Sequence, residues 1–208
     1  LYNEIGGKEK GHSYHSFDLS KSFSGEKLIS EVLAESSGID IVIHNVGGGM
    51  GVHDPCADLN KWLSVWMLNI GIAIEINNLL LPSMIKNLWG RIVHISSINA
   101  ITGGTMVDKY GGSPAYSCAK AYANMYTKVM SREFARYNII FSGVMPGPVL
   151  VKGKHWEKLS LSNNKLVEEY LNNHQAIGRF GQAKEIAPFV LLLASQHASF
   201  ASGSIIPV

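Results

Sequence analysis

The sequence predicts a three-layer, doubly wound α/β fold: a parallel sheet with helices on both faces. Three observations predict it. Apolar runs of strand length alternate with longer stretches of helical spacing. The runs are continuously apolar, as strands covered on both faces require. The chain is also long enough, at 208 residues, and apolar enough, at 46% hydrophobic and 16% charged, to bury one core.

The elements follow in order. Residues 1–7 read as the end of a helix with a glycine stop. Residues 12–17 are a weak strand leading into Asp18-Leu19-Ser20. Residues 25–36 carry helical spacing through Leu28, Ile29, Val32 and Leu33, and Gly38 ends it. Residues 39–45 are a compact strand running into Gly47-Gly48-Gly49. A long helical stretch covers about residues 59–88, and residues 91–96 form the next strand. A Gly- and Thr-rich loop then reaches Ser113, and Pro114 opens a helix to about residue 137, since proline suits a first helical turn. Residues 139–144 are a strand ending at Pro146-Gly147. A polar, lid-like segment spans 151–164, helices cover 165–174 and 183–195, and a last strand begins at 204. The order β-α-β-α-β-α-β-α-α-β places ligands at the carboxyl ends of the strands, where Asp18, Asn45, Ser96-Ser97 and Pro146-Gly147 stand.

Composition narrows the function classes. The hydrophobic content excludes a disordered chain. A net charge of +2 from 18 basic and 16 acidic residues gives no reason to expect a nucleic-acid partner. Two cysteines, Cys56 and Cys118, are too few for a disulfide framework and fit a reducing, cytoplasmic compartment. The most apolar stretch, residues 62–85, carries Asn69, Glu75, Asn77, Asn78 and Pro82, which argues for a buried helix and against a membrane span. The start of the chain does not read as a signal peptide.

The sharpest chemical feature is Tyr116-Ser117-Cys118-Ala119-Lys120. Residues four apart share a helix face, so Tyr116 and Lys120 point the same way. A phenol titrates near 10, and a neighbouring ammonium favours the phenolate, a shift of about two to three units. A phenol tuned in this way exchanges protons with an alcohol or ketone. The bland alternative is a surface Tyr and Lys at chance spacing.

Context decides for chemistry. Gly90-Arg91-Ile92-Val93-His94-Ile95-Ser96-Ser97 precedes the pair, with His44-Asn45-Val46-Gly47 and Asn69 further upstream. Val144-Met145-Pro146-Gly147-Pro148-Val149 and the 178–187 run Gly-Arg-Phe-Gly-Gln-Ala-Lys-Glu-Ile-Ala follow it. In these motifs and their order the chain resembles the single-domain short-chain dehydrogenase/reductase family, in particular 3-oxoacyl-(acyl-carrier-protein) reductases, over essentially all of its length. The resemblance implies one NAD(P)-binding Rossmann-like domain over residues 1–208. It implies Tyr116 as general acid/base, Lys120 as the residue that tunes the phenol and bonds the nicotinamide ribose, Ser97 as the hydroxyl that orients the substrate carbonyl, and Asn69 as support for a proton-relay water. It further implies Asp18 and Leu19 beside the adenine, Asn45 and Gly47 in the turn along the cofactor, and Pro146, Gly147 and Val149 beside the nicotinamide. The expected activity is hydride transfer between NAD or NADP and a small-molecule carbonyl/secondary-alcohol pair, in a homodimer or homotetramer built on the two apolar helices.

The chain departs from the family pattern. No Gly-x-x-x-Gly-x-Gly stands before Asp18, and Gly47-Gly48-Gly49 follows a later strand. The N-terminal βα unit is therefore expected to be missing and the domain incomplete at both ends. The stretch that reads the ribose 2′ position is expected to be missing with it, which leaves NAD and NADP undistinguished. Val151 stands where a carboxamide-binding Thr is common, His44 replaces an Asn and Val46 an Ala. The loop between Ser97 and Tyr116 is long, and its residues 102–112 are expected to shape the substrate pocket, with His155 and Trp156 on the lid. A non-catalytic NAD(P)-binding regulatory relative is the alternative. A sugar-nucleotide branch of the superfamily, which shares Tyr-x-x-x-Lys, is disfavoured by the Asn45-Val46-Gly47 turn. No metal motif is present, so His44 and His94 are expected to be hydrogen-bonded core histidines. Cys118 is expected to be a small buried side chain, and Trp62, Trp66 and Met67 to serve core or interface packing.

Overall fold

A computed structural model describes residues 2–21 and 24–208, excluding the side chains of residues 107 and 108. Leu1, the first residue of the expected helix end, lies outside them. The expected helix end is not found among the described residues: 2–6 are turns, in which the Gly7 amide donates to the Tyr2 carbonyl and the Gly6 amide to that of Asn3, and Gly6, left-handed at φ 97°, precedes a short 3-10 turn over Gly7–Lys10.

Four strands form one parallel sheet in chain order: β1 (Ile41–His44), β2 (Gly90–Ile95), β3 (Ile139–Met145) and β4 (Ile205–Pro207). In register, Val42 faces Ile92, which faces Phe141. The helices are α1 (Ser24–Glu35), α2 (Leu59–Trp66), α3 (Ile72–Asn87), the short α4 (Asn99–Thr102) and α5 (Val107–Tyr110), α6 (Pro114–Phe134), α7 (His155–Ser162), α8 (Asn164–His174) and α9 (Ala183–Ala194). Strand alternation sorts the core into two layers. Ile92 and Phe141 pack with Ile72, Ile76, Leu80 and Met84 of α3 and with Ile29 of α1. Their neighbours Val93 and Val144 face the other way, onto Leu193 and Ala194 of α9. The three expected layers are thus present.

The structure corrects several expectations. Residues 12–17 form no β-ladder, because among the described residues no strand runs beside them to accept their backbone bonds. Tyr14 and Phe17 among polar residues give a weak strand pattern, but a strand exists only with a partner. The 151–164 segment is not open loop: α7 occupies most of it. Cys118 is exposed, because the inward face of α6 is taken by Ala115, Ala119, Ala123 and Thr127.

The long apolar helix is interrupted. Between α2 and α3 the turn at Met67–Gly71 widens to π geometry, so one helical stretch from Leu59 to Asn87 carries a bulge at Asn69. Leu59–Asn87 is long and apolar enough to cross a membrane by length and composition, yet half of its most apolar window is buried inside the fold. Its far side and that of α6 leave Leu59, Leu63, Met125 and Val129 exposed.

Arg91 on β2 is only 1% exposed and forms no ion pair among the described residues. Its guanidinium is spent on carbonyls instead, donating from Nε to Ser195 (3.0 Å) and from one terminal nitrogen to Gly90 (2.8 Å) and Asn138 (3.0 Å). That network ties β2 to the ends of α6 and α9.

Candidate active site

At the carboxyl end of the sheet a cleft of about 790 Å³ opens, lined by Ser97, Tyr116, Gly147, Pro148, Val149 and the glycines 48, 49 and 51 among others. A second cavity of about 310 Å³ flanks β1 and is lined by Leu19, Ile43, His44, Asn45 and Asn69. Of the sequence-predicted residues, Ser97, Tyr116, Gly147 and Val149 line the first cavity and Leu19, Asn45 and Asn69 the second, and Asn69 is bonded to Gly48 of the first.

Tyr116 is delivered by the first turn of α6. Ser113 caps that helix, its hydroxyl oxygen accepting from the Tyr116 amide at 3.4 Å while its proton goes to the Val52 carbonyl at 2.6 Å. Pro114 fills the first helical position. Burial holds the Tyr116 phenol above its usual value of 10, and the Ser97 side chain draws it partly back. Ser97 itself accepts from the Asn99 amide at 3.2 Å. Its neighbour Ser96 points away from the cleft, toward the Lys120 carbonyl at 3.4 Å. The second serine of the pair is thus the one beside the phenol.

Lys120 is on the same face one turn later. It is buried, which lowers its ammonium to about 8. Its Nζ donates to the Ile95 carbonyl at 2.8 Å and lies 5.6 Å from the Tyr116 ring centroid. The Lys-driven depression expected for the Tyr116 phenol is not present in this arrangement. The ammonium bonds the end of β2 and sits over the ring face, so burial outweighs it and the phenol moves up.

Asn69 sits in the π turn. Its Nδ2 donates to the Gly48 and Val65 carbonyls, both at 2.8 Å, and its Oδ1 accepts from the Gly48 amide at 3.0 Å. Both amide protons are consumed, so in this geometry Asn69 positions the glycine turn and has no proton left to pass on. Gly47 is required by space. A Cβ there would come within 2.4 Å of Asn69 Oδ1 and 3.1 Å of Lys120 Nζ.

Of the remaining predicted residues, Asp18 and Asn45 are exposed, while Gly147 and Val149 line the cleft. Asp18 is exposed and accepts from the amide (3.1 Å) and hydroxyl (2.6 Å) of Ser20, which hold its carboxyl below the usual range. Asn45 is exposed at the end of β1. The 146–149 loop is pinned from both sides. The Gly147 amide donates to the Val208 carbonyl at 2.7 Å, and Val149 bridges Gly181. The 178–187 motif therefore acts as a buttress for the cleft.

Behind the site, His44 and His94 stack at 4.9 Å. His44 Nε2 donates to Asn77 Oδ1 at 2.8 Å. Thr127 gives its proton to Ala123 and so accepts from His94 Nδ1 at 3.0 Å, leaving His94 Nε2 as a bare buried lone pair. Burial lowers His44 to about 4 and holds His94 well below its usual value. Both are core histidines. Among the described residues no group of three or more His, Cys, Asp or Glu is placed to hold a metal.

Sequence reasoning missed three contributors. His53 Nδ1 donates to the Gly112 carbonyl at 2.8 Å on the cleft wall. The Ser113 cap has a sequence signal, a hydroxyl residue directly before a helix-opening proline. The π turn has no sequence signal in the apolar spacing.

Comparison with known proteins agrees with this geometry. The family model described as enoyl-(acyl carrier protein) reductase matches residues 3–208. A 3-oxoacyl-(acyl-carrier-protein) reductase of Aquifex aeolicus is 30% identical over 208 residues, all of this chain and 78% of the relative. A crystal structure of a 3-oxoacyl (acyl-carrier-protein) reductase from Agrobacterium tumefaciens with NADP bound superposes with a TM-score of 0.82 at 26% identity, covering 92% of this chain and 70% of that one. L-sorbose reductase from Gluconobacter frateurii, solved with NADPH and L-sorbose, gives 0.82 at 26% identity over 93% of this chain and 73% of that one. With a parallel sheet, a cleft that holds Ser97 and Tyr116, and a family match along its length, the chain belongs to the short-chain dehydrogenase/reductase family of oxidoreductases.

Proposed function

We propose that this chain is an NAD(P)-dependent oxidoreductase that interconverts a carbonyl and a secondary alcohol, with Tyr116 as the general acid/base. The observation that carries the reading is the meeting of Ser97 and Tyr116 in one cleft, with the buried Lys120 over the phenol ring and a turn that only glycine fits at position 47 beside it. The residues suit a nicotinamide cofactor. Lys120 is a buried ammonium with one acceptor, Ile95, so two of its three protons remain for the hydroxyls of a ribose. Two of the solved relatives hold NADP or NADPH, and NAD stays within the proposal.

When bound, the nicotinamide supplies or takes the hydride. The protein does the rest. Ser97 donates a hydrogen bond that fixes the carbonyl oxygen, and Tyr116 donates its phenolic proton to that oxygen in reduction or removes it in oxidation. Lys120 stabilises the phenolate that remains, and Asn69 keeps the glycine turn in place. The apolar faces of the Leu59–Asn87 stretch and of α6 pair with a second copy of the chain, giving a homodimer or homotetramer. The free cysteines fit a cytoplasmic setting.

The test is NADH and NADPH oxidation with a panel of ketones, by the wild type and by Tyr116→Phe. Loss of about 10²–10⁴ in turnover with binding retained supports the role. Near wild-type turnover in Tyr116→Phe refutes it. The bonding of Lys120 to the Ile95 carbonyl favours a second reading, a non-catalytic NAD(P)-binding relative. That reading requires cofactor binding with no oxidation by the wild type on any carbonyl.

A further inference from the structure

The cleft has a wall whose chemistry the proposed reaction does not use. It is α7, where Lys154 precedes the first turn and Lys158 lies four residues on, so the two ammonium groups share a face and both line the cleft. Among the described residues neither lysine has an ion-pair or side-chain hydrogen-bond partner, and no Asp or Glu lines the cleft. The nearest acids of these helices are committed elsewhere. Glu157 accepts from the Gly153 amide at 2.6 Å, and Glu169 on α8 pairs with Lys109 at 2.5 Å. The wall is also braced: Trp156 packs on Tyr170 at 4.3 Å and on Phe180 at 5.2 Å between ring centres.

Two unpaired cations on a braced wall, in a cleft whose described lining includes no carboxylate, make a field that favours a negative ligand. We infer that the substrate is an anionic carbonyl compound whose carboxylate or phosphate is held by Lys154 and Lys158 while its carbonyl meets Ser97 and Tyr116. The inference rests on the oxidoreductase reading above and adds the substrate class. Lysine, as a compact charge on a flexible stem, suits either anion.

The test uses matched probe pairs that differ in charge: acetoacetate against methyl acetoacetate, and dihydroxyacetone phosphate against dihydroxyacetone. Binding to the full chain, with and without NADPH, is read from the fluorescence of Trp156, with Trp156→Phe as the control for the other tryptophans. At least one charged probe is expected to bind ten-fold or more tighter than its neutral partner, and the pair that shows this distinguishes carboxylate from phosphate. In Lys154→Gln/Lys158→Gln the preference falls toward one, and raising the salt shrinks it in the wild type. Equal binding within both pairs, or a preference that survives the double substitution, overturns the inference. NADPH oxidation with the same probes separates the two claims. Turnover without charge preference sinks this inference alone, whereas charge-selective binding with no turnover of these probes or of any carbonyl in the ketone panel sinks the oxidoreductase reading and leaves the anion site standing.

Discussion

The side-chain amide of Asn69 brackets the peptide unit of Gly48, donating to its carbonyl at 2.8 Å and accepting from its amide at 3.0 Å. A third bond, to the Val65 carbonyl, anchors the side chain to the preceding turn of its own helix. One side chain thus ties the helix bulge to the turn after β1. Asn69→Ala leaves these backbone groups without partners in a buried place, at a cost of about 1–3 kcal/mol. A lower urea midpoint is expected, together with weakened NADPH binding. An unchanged midpoint would mean that the turn holds itself.

Gly47 is governed by space. Its Cβ would press on Asn69 Oδ1 and Lys120 Nζ, so Gly47→Ala must displace one of them. The predicted result is a stability loss of about 1–3 kcal/mol, as for other overpacked sites. Cofactor affinity should fall at the same time. Binding titration of the variant with NADH and NADPH checks this, and wild-type affinity for both would show that the neighbours yield freely.

Much of this arrangement was legible in the sequence because it is local. The spacing of Tyr116 and Lys120 sets a shared helix face whatever the rest of the chain does, and Ser97 and Pro146 stand directly after strands that continuous apolar runs reveal. What stayed hidden depends on distant partners. Residues 12–17 have strand chemistry and no ladder, a fact that only the neighbouring backbone decides. The protonation of Tyr116 is another case. Spacing predicts an ammonium beside the phenol, but the Ile95 carbonyl captures that ammonium from 25 residues away, and burial then sets the direction. Cys118 looked like core because cysteines usually are, yet on α6 it falls outside the alanine face.

The stacked histidines make the fold acid-sensitive. His44 titrates near 4 in the fold and near 6.5 when unfolded, and His94 is lowered in the same direction, first by burial and then by the charge of His44. The folded state therefore binds fewer protons than the unfolded chain between those values. Stability contributed by the neutral rings is complete above 6.5 and is lost as the pH falls toward 4. For His44 the loss is at most about 3 kcal/mol. Urea midpoints measured from pH 7 to 4 should fall, and His44→Asn should flatten the slope. A slope that is the same in both proteins would place the acid sensitivity elsewhere.

Lys120 exposes a conflict between stability and the proposed chemistry. Its ammonium is buried and titrates near 8 against 10.5 in the unfolded chain, so burial of the charge opposes folding at neutral pH. Between 8 and 10.5 the unfolded chain holds the extra proton, and the fold gains stability as the pH rises through that window. Below 8 both states are protonated and the full penalty, about 3 kcal/mol, is present. Lys120→Met keeps most of the volume and removes the charge. It should raise the urea midpoint at pH 7 and abolish the gain between pH 8 and 10.5. Because Lys120 is the group proposed to stabilise the Tyr116 phenolate and to bond the cofactor ribose, the same substitution should cost at least about 10²-fold in turnover. A stabilised variant that still turns over at the wild-type rate would remove Lys120 from the mechanism. A destabilised one would show that the bond to the Ile95 carbonyl outweighs the burial of the charge.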